Sequence, residues 1–380
     1  MRKLITIGIN TLQGFATPAF NFLIVIFGVK FFGKTDWAHL INVMLWVFFT
    51  TFILGWGNRD YLLRTYSEKP NKMYHSFFSN FLSRCLLLPI ALLLLLFFPL
   101  KIAICAITLV ILTFTYASLS TLVVYHQKFG AQLLAEALAF FIIIGSVFYV
   151  NTFNLFTFLI IYSIAISIKL ITLSLQLSFW KEAFSANISI NEFKHGLPFF
   201  ILGLSGWLIS KTDIYAVSLF LEKSQLSEYQ LLITAFLMLQ ALASYITIPF
   251  TKHIYRAPKQ VTKKIKLKLY SIALPTTTIG ALAIWLIMEY FVILGFSYEY
   301  YIIGGLIALP CFFYTLDIIK LMKSHLENII IYISLFGFLI NIISIYLLIN
   351  SHELLGLLIS ACITQWTVLF AYKLTIKLKL

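Results

Sequence analysis

Apolar runs of about 20 residues recur along the whole chain, and about 20 apolar residues is what a helix needs to cross the hydrocarbon of a bilayer. Measured against that length, twelve segments emerge: 4–29, 38–58, 77–98, 102–125, 131–150, 157–180, 197–221, 229–251, 270–293, 301–323, 328–350 and 354–374. The connections between them are too short to hold a soluble domain. Of 380 residues, 61% are hydrophobic and 11% charged, and the mean hydropathy is +0.95. A water-soluble domain has no way to cover that much apolar surface. In lipid only helices and closed barrels satisfy every backbone N–H and C=O. These runs have helix length, not the ten-residue alternation of barrel strands. The expected fold is therefore an all-α polytopic membrane protein. Arg2 and Lys3 precede the first segment without a small-residue cleavage site after a short apolar region, so it is read as a retained helix and not a signal peptide.

Basic residues set the orientation, because cytoplasmic connections collect Lys and Arg. With the N-terminus inside, all of the 28 Lys and Arg lie on or near the cytoplasmic side except Lys30, Lys34, Lys101 and Lys223 outside and Lys169 and Lys211 within the membrane. Both termini are then cytoplasmic. The formal charge of +14 is accounted for by this bias and needs no nucleic-acid partner. The run Lys252, Arg256, Lys259, Lys263, Lys264, Lys266, Lys268 reads as a topology signal lying on anionic headgroups. Two halves are expected, a six-helix N-terminal lobe 1–185 and a six-helix C-terminal lobe 186–380, around a central cavity. FFGKTDWAHLINV around Lys34 follows the first segment much as FLEKSQLSEYQLL around Lys223 follows the seventh. Six is even, so the halves form a parallel repeat.

Charges inside the span are the candidate functional residues, since they are costly unless they face a partner, water or a cavity. Lys211 and Asp213 lie in the outer part of segment seven. Two residues along a helix is about 200° of rotation, so they point to opposite faces. Lys211 shares a stripe with Trp207 and Tyr215, whose rings are placed to hold the ammonium by cation–π contact. Asp213 shares a small-residue stripe with Gly203, Gly206 and Ser210. Two readings stand for Lys211: it faces a cavity, or it is structural and snorkels outward. Lys169 is near the middle of its segment, too deep to snorkel, and is a second cavity cation. Arg84 and Glu136 sit at similar depth and read as a buried ion pair fixing helix packing. Asp317 and Lys320 read as a pair one turn apart, and Glu289 as a wet residue near an outer helix end.

Pro18 and Pro310 lie well inside spans and are the prolines most expected to interrupt a helix. Pro89, Pro198, Pro249 and Pro275 are also inside segments. Cys85, Cys105, Cys311 and Cys362 are scattered without a CxxC, which points to packing and not to disulfides or metal. The seven histidines fall near segment ends and are assigned no ligand or relay role. Walker A, HExxH and GxSxG motifs are all absent, so no metal, cofactor or enzymatic activity is expected.

The stretch from His195 to Leu242 resembles the seventh and eighth helices of the oligosaccharide flippases. These are the O-antigen and polysaccharide-export translocases of the multidrug/oligosaccharidyl-lipid/polysaccharide exporter superfamily. Gly196, Leu197, Pro198, Asp213 and Tyr229 match that pattern. Ile214 stands where the family has a basic residue, with Lys211 two positions earlier, and Leu221-Glu222 replaces Leu-Gly. ILGFSYEYY at 293–301 resembles the turn before helix ten, and YHQKFGAQLLAE at 125–136 the loop between helices four and five.

The resemblance implies translocation of an undecaprenyl-pyrophosphate-linked oligosaccharide between leaflets of the bacterial inner membrane. It implies two lobes around a cationic cavity, with Lys169, Lys211 and Arg84 on the headgroup. The implied partners are the lipid-linked oligosaccharide, membrane lipids, and a glycan polymerase or glycosyltransferases. Some members couple to proton or sodium gradients, a role open here to Asp213 or Glu136. The main alternative is an ion-coupled multidrug or cation antiporter of the same superfamily. It would want acids in the cavity. A glycan-assembly enzyme is disfavoured by the short loops, and a scaffold would not need buried charges on several helices.

Overall fold

The computed structural model describes residues 2–177, 186–247, 259–324 and 326–379. Pro249, Lys252 and Arg256 lie outside these residues, as does the part of the joining segment from 178 to 185. Every regular element among the described residues is helical. The chain opens with α1 Arg2–Phe32, α2 Lys34–Gly55, the short α3 Asn58–Glu68 and α4 Met73–Cys85. A 3-10 stretch Leu88–Leu93 and the single turn α5 Leu94–Phe97 follow. Next come α6 Leu100–Tyr125, α7 Phe129–Tyr149 and α8 Leu155–Gln176. Then α9 Asn191–Phe220, α10 Lys223–Thr247, α11 Lys259–Leu286, α12 Tyr298–Lys323 and α13 Glu327–Lys379 complete the chain.

Among the described residues ten helical stretches are long and apolar enough to cross a membrane. The last of them, Asn328–Leu378, is broken at Glu353, whose φ of 45° and ψ of −124° leave the helical region. The expected segments 328–350 and 354–374 are thus two helices meeting at one residue. The expected segment 197–221 falls on α9 up to Phe220; α9 is 30 residues long but is not one of those ten stretches. The protein is an all-helical, multi-pass membrane protein.

The prolines expected to interrupt helices do not. Pro18 and Pro310 lie inside the continuous α1 and α12, as Pro198 and Pro275 do inside α9 and α11. A spanning helix tolerates one missing N–H when neighbouring groups re-satisfy the carbonyl it frees. The real departures are elsewhere. Pro89 stands in the first turn of the 3-10 stretch after α4. α11 ends in a π-helical turn, Ile287–Val292, closed by Ile293 at φ 64°. The segment 59–76, expected as a connection, is largely α3 and the start of α4. Leu62 and Tyr66 of α3 are fully buried in a cluster with Phe77, Leu122 and Leu173. Two fully buried apolar anchors on so short a helix explain why it packs instead of floating.

The chain forms two compact units, Met1–Gly203 and Leu204–Leu380, and the division falls inside α9. In the first, α6 packs on α2 and α8, α7 on α8, and α1 on α7. In the second, α12 packs on α10, α11 and α13. The pairing of α2 with α6 recurs as that of α10 with α12. Lys34 and Lys223, from the two similar turns, each open the next helix. Much of the surface is apolar: Leu96, Phe141, Leu175 and Ile279 are all exposed. That is the surface expected where the solvent is hydrocarbon and apolar exposure carries no penalty. All four cysteines are free.

Candidate functional site

Arg84 ends α4 with a guanidinium that is 2% exposed. Its Nε donates to Asn80 Oδ1 at 2.8 Å, Nη2 to Ser118 Oγ at 3.0 Å and Nη1 to the Leu54 carbonyl at 3.4 Å. The Phe114 ring lies 4.9 Å from the guanidinium carbon. Asn80 extends the network, its Nδ2 donating to Glu192 Oε2 at 2.9 Å. The expected pair with Glu136 is not formed. Arg84 meets α6 at Phe114 and Ser118, whereas Glu136 meets it at Tyr116. Positions two apart on a helix face opposite ways, so α6 stands between the two charges.

Glu136 is paired with Lys169 instead. Lys169 Nζ lies 2.7 Å from Oε2, and the Tyr116 hydroxyl donates to Oε1 at 2.6 Å. The ammonium also sits over the Tyr116 ring, 5.2 Å from its centroid. The three residues join α6, α7 and α8. Both carboxylate oxygens are used and the two charges cancel, which is what a buried pair requires if it is to persist.

In the second unit Asp213 is 3% exposed. Its Oδ2 accepts from the Tyr229 hydroxyl at 2.6 Å and its Oδ1 from the Ile214 N–H at 2.9 Å. The two positions that matched the family pattern separately, Asp213 on α9 and Tyr229 on α10, are therefore bonded to each other. Lys211 is half-buried on the opposite face. The rings of Trp207 and Tyr215, expected to clasp its ammonium, pack on each other at 5.3 Å and 47°. Among the described residues Lys211 makes no hydrogen bond, ion pair or cation–π contact. It is a cation on α9 with its donors unused among the described residues.

Several polar constellations escaped the sequence. Asp317 does not depend on Lys320 one turn away. It is fully buried between Lys266 Nζ at 2.8 Å and Lys373 Nζ at 2.7 Å. Lys373 also donates to the Phe313 carbonyl at 2.9 Å and to the Tyr270 hydroxyl, which itself donates to Phe313 at 3.1 Å. Glu289 is not simply wet. It accepts from the Gly295 N–H at 3.0 Å, the Phe296 N–H at 3.1 Å and the Tyr301 hydroxyl, and so staples the turn before α12. Among the described residues no three His, Cys, Asp or Glu side chains come together as metal ligands would.

A tight corner joins α2 to α3. Trp56 and Gly57 are left-handed, with φ of 42° and 66°. A Cβ on Gly57 would lie 2.5 Å from the Phe200 nitrogen, and one on Gly196 would lie 2.9 Å from the Trp56 carbonyl oxygen. Trp56 stacks on Phe200 at 4.3 Å and its Nε1 donates to the Phe193 carbonyl at 3.0 Å. The strand of chain before α9 is held too, Ser189 N–H donating to Ser83 Oγ at 2.9 Å. The α2–α3 corner and α4 thus clasp the first turns of α9 backbone to backbone. The only sequence trace of this is Gly-Trp-Gly closing an apolar run.

Comparison with known proteins gives the fold. No family model matches the chain and no curated protein matches it. Among solved structures it is similar to the lipid II flippase MurJ in its inward closed conformation, with TM-score 0.74 and 15% identity over 97% of this chain and 87% of that one. It is also similar to the eukaryotic MATE transporter AtDTX14, with TM-score 0.63 and 15% identity over 100% of this chain and 96% of that one. Identity that low shows a shared fold and no more; the chain has the fold of polytopic membrane transporters.

Proposed function

We propose that this chain flips an undecaprenyl-pyrophosphate-linked oligosaccharide from the cytoplasmic to the outer leaflet of a bacterial inner membrane, by alternating access, in surface polysaccharide or O-antigen synthesis. Lys211 carries the proposal. A charged side chain costs about 2.5–3.5 kcal/mol at the centre of a spanning helix on insertion scales, and less in the outer part where Lys211 is expected. The other intramembrane cations are compensated, Lys169 by Glu136 and Arg84 by neutral acceptors and a ring. Among the described residues Lys211 is the intramembrane cation left with donors to offer, and a passing pyrophosphate would fill them. The fold shared with a lipid II flippase supports the same substrate class. Lys169 and Arg84 then serve as supports of the first unit, with headgroup contact a secondary role.

The test is transbilayer movement of fluorescent undecaprenyl-pyrophosphate oligosaccharide in proteoliposomes. A charge-assisted hydrogen bond is worth about 1.5–3 kcal/mol, so Lys211→Ala should slow movement roughly 10- to 100-fold, with Lys211→Arg retaining most of it. Equal rates for wild type and Lys211→Ala would end the proposal.

A second reading has its own observation. Asp213, buried and bonded to Tyr229, has the form of a proton or sodium site, and the fold is also similar to that of a MATE transporter. An ion-coupled cation antiporter would show gradient-driven uptake of a cationic dye, abolished by Asp213→Asn and indifferent to Lys211→Ala. In the flippase reading Asp213 is the better coupling residue, because Glu136 is held by Lys169.

A further inference from the structure

At the ends of α11, α12 and α13 expected on the cytoplasmic side, the structure gathers a cluster whose charges do not cancel. Asp317 of α12 is fully buried between Lys266 of α11 and Lys373 of α13. Two ammonium groups share one carboxylate, so one positive charge is left over. The two lysines are not equivalent. Lys373 uses all three N–H groups, on Asp317, on the Phe313 carbonyl and on the Tyr270 hydroxyl. Lys266 donates to Asp317, leans over the Tyr270 ring at 5.6 Å and keeps donor capacity in hand. Its side chain is 20% exposed. One turn nearer the helix ends, Lys263 on α11 and Lys377 on α13 are exposed, and Lys320 and Lys323 close α12. Glu327, where α13 begins, is the other acid on this side.

A topology signal needs only basic residues in a connection. It does not need them half-buried and held in place. Fixing two cations on one shared carboxylate carries a desolvation penalty, and the outcome is a positioned cation with spare donors. A phosphodiester carries one negative charge, so a single one completes a neutral set, as a partly buried position favours. Depth places the site among headgroups. Trp285 packs edge-on to Tyr290 at 5.7 Å, and such rings gather at a membrane interface. Lys266 is 19 residues from Trp285, about 28 Å at 1.5 Å per residue, against about 30 Å for the hydrocarbon core. It therefore stands at the opposite interface. Leu267 and Leu374 beside the two lysines, and Leu274 one turn beyond Tyr270 toward mid-span, are exposed. An anion held by Lys266 meets apolar surface directly above it. That suits an amphiphile, not a soluble phosphate or an acidic peptide.

We propose that Lys266, positioned by Asp317 and Lys373, binds the phosphodiester headgroup of an anionic diacyl phospholipid from the leaflet at that end. The site uses none of the residues proposed for the substrate headgroup or for ion coupling, and it does not depend on the flippase reading.

The test uses the full chain in phosphatidylcholine nanodiscs with a minor fraction of phosphatidylglycerol that carries a photoactivatable diazirine in its headgroup, adducts being mapped by mass spectrometry. Adducts should concentrate several-fold on 263–270 and 373–377 relative to the basic stretch 59–72, where Arg64 is already paired with Glu68. One lysine near an anionic surface accounts for about fivefold in affinity, so Lys266→Gln should lower the adducts about fivefold. Asp317 keeps Lys373 in that variant, so the buried carboxylate stays paired. Lys264→Gln removes the same charge from the opposite face of α11 and should change little. Should Lys266→Gln fail to fold, the wild-type map and its competitors decide. Unlabelled phosphatidylglycerol should displace the probe and inorganic phosphate should not. Adducts spread over every basic segment, or equal losses in the two glutamine variants, would reduce these lysines to bulk charge and overturn the site. Displacement by inorganic phosphate, or by undecaprenyl pyrophosphate at a lower mole fraction than phosphatidylglycerol, would overturn the phospholipid assignment. Loss of flipping in the Lys211→Ala protein with labelling intact would leave the site standing.

Discussion

Two lysines within apolar helices meet opposite fates. Lys169 has a carboxylate at 2.7 Å, and Lys211 makes no hydrogen bond or ion pair among the described residues, feeling Asp213 only at longer range. Removing one side of a buried pair leaves the other charge uncompensated, at about 3–5 kcal/mol. Lys169→Ala is therefore expected to lower thermal stability in detergent by about 3 kcal/mol or more. The double replacement Glu136→Gln with Lys169→Gln should recover most of the loss. Lys211→Ala should leave the melting temperature little changed or raised, since it removes no hydrogen bond or ion pair among the described residues, only a longer-range attraction to Asp213. The two alanine variants thus separate structural from functional loss, which surface glycan alone would not do. A Lys169→Ala protein as stable as wild type would show that the Glu136 pair does not hold the first unit together.

The corner between α2 and α3 governs how α9 is held. Gly57 is both left-handed and in backbone contact with Phe199 and Phe200. A left-handed non-glycine residue costs about 1–2 kcal/mol, and here a methyl would also push α9 away. Gly57→Ala should unstack Trp56 from Phe200, seen as a shift in Trp emission, and should speed amide exchange over 193–200. An unchanged exchange rate would show that the clasp does not restrain α9. The break at Glu353 is of another kind. Gln225 Nε2 donates to Glu353 Oε2 at 2.6 Å, so the bend in α13 is tied to the start of α10 by a side chain, not imposed by proline or glycine.

For the molecule as a whole, the expected orientation makes a direct prediction. In a cysteine-free background, single cysteines at Lys69 and Lys34 should react with impermeant reagent from opposite sides of the membrane, Lys69 from the cytoplasmic side. Labelling of both from one side would refute the topology drawn from the basic residues. The pairing of α2 with α6 in the first unit recurs as that of α10 with α12 in the second.

The amino-acid sequence by itself determined the class and the run of the helices. Hydropathy and backbone satisfaction act over about 20 contiguous residues, so each apolar run declares its own helix. The described parts of the twelve expected segments are predominantly helical, while positions 178–180 and 248–251 lie outside the described residues. It also named most of the intramembrane charges, because they stand out against an apolar background. Only the tertiary structure decided who pairs with whom. Glu136 and Lys169 are 33 residues apart, Asp317 and Lys373 are 56 apart, and Asn80 and Glu192 are 112 apart. Those partnerships depend on which faces of which helices meet, and a long-range choice of that sort has no local signature. The same holds for the Gly57–Phe200 approach. It is a consequence of packing between segments that are, one by one, merely apolar.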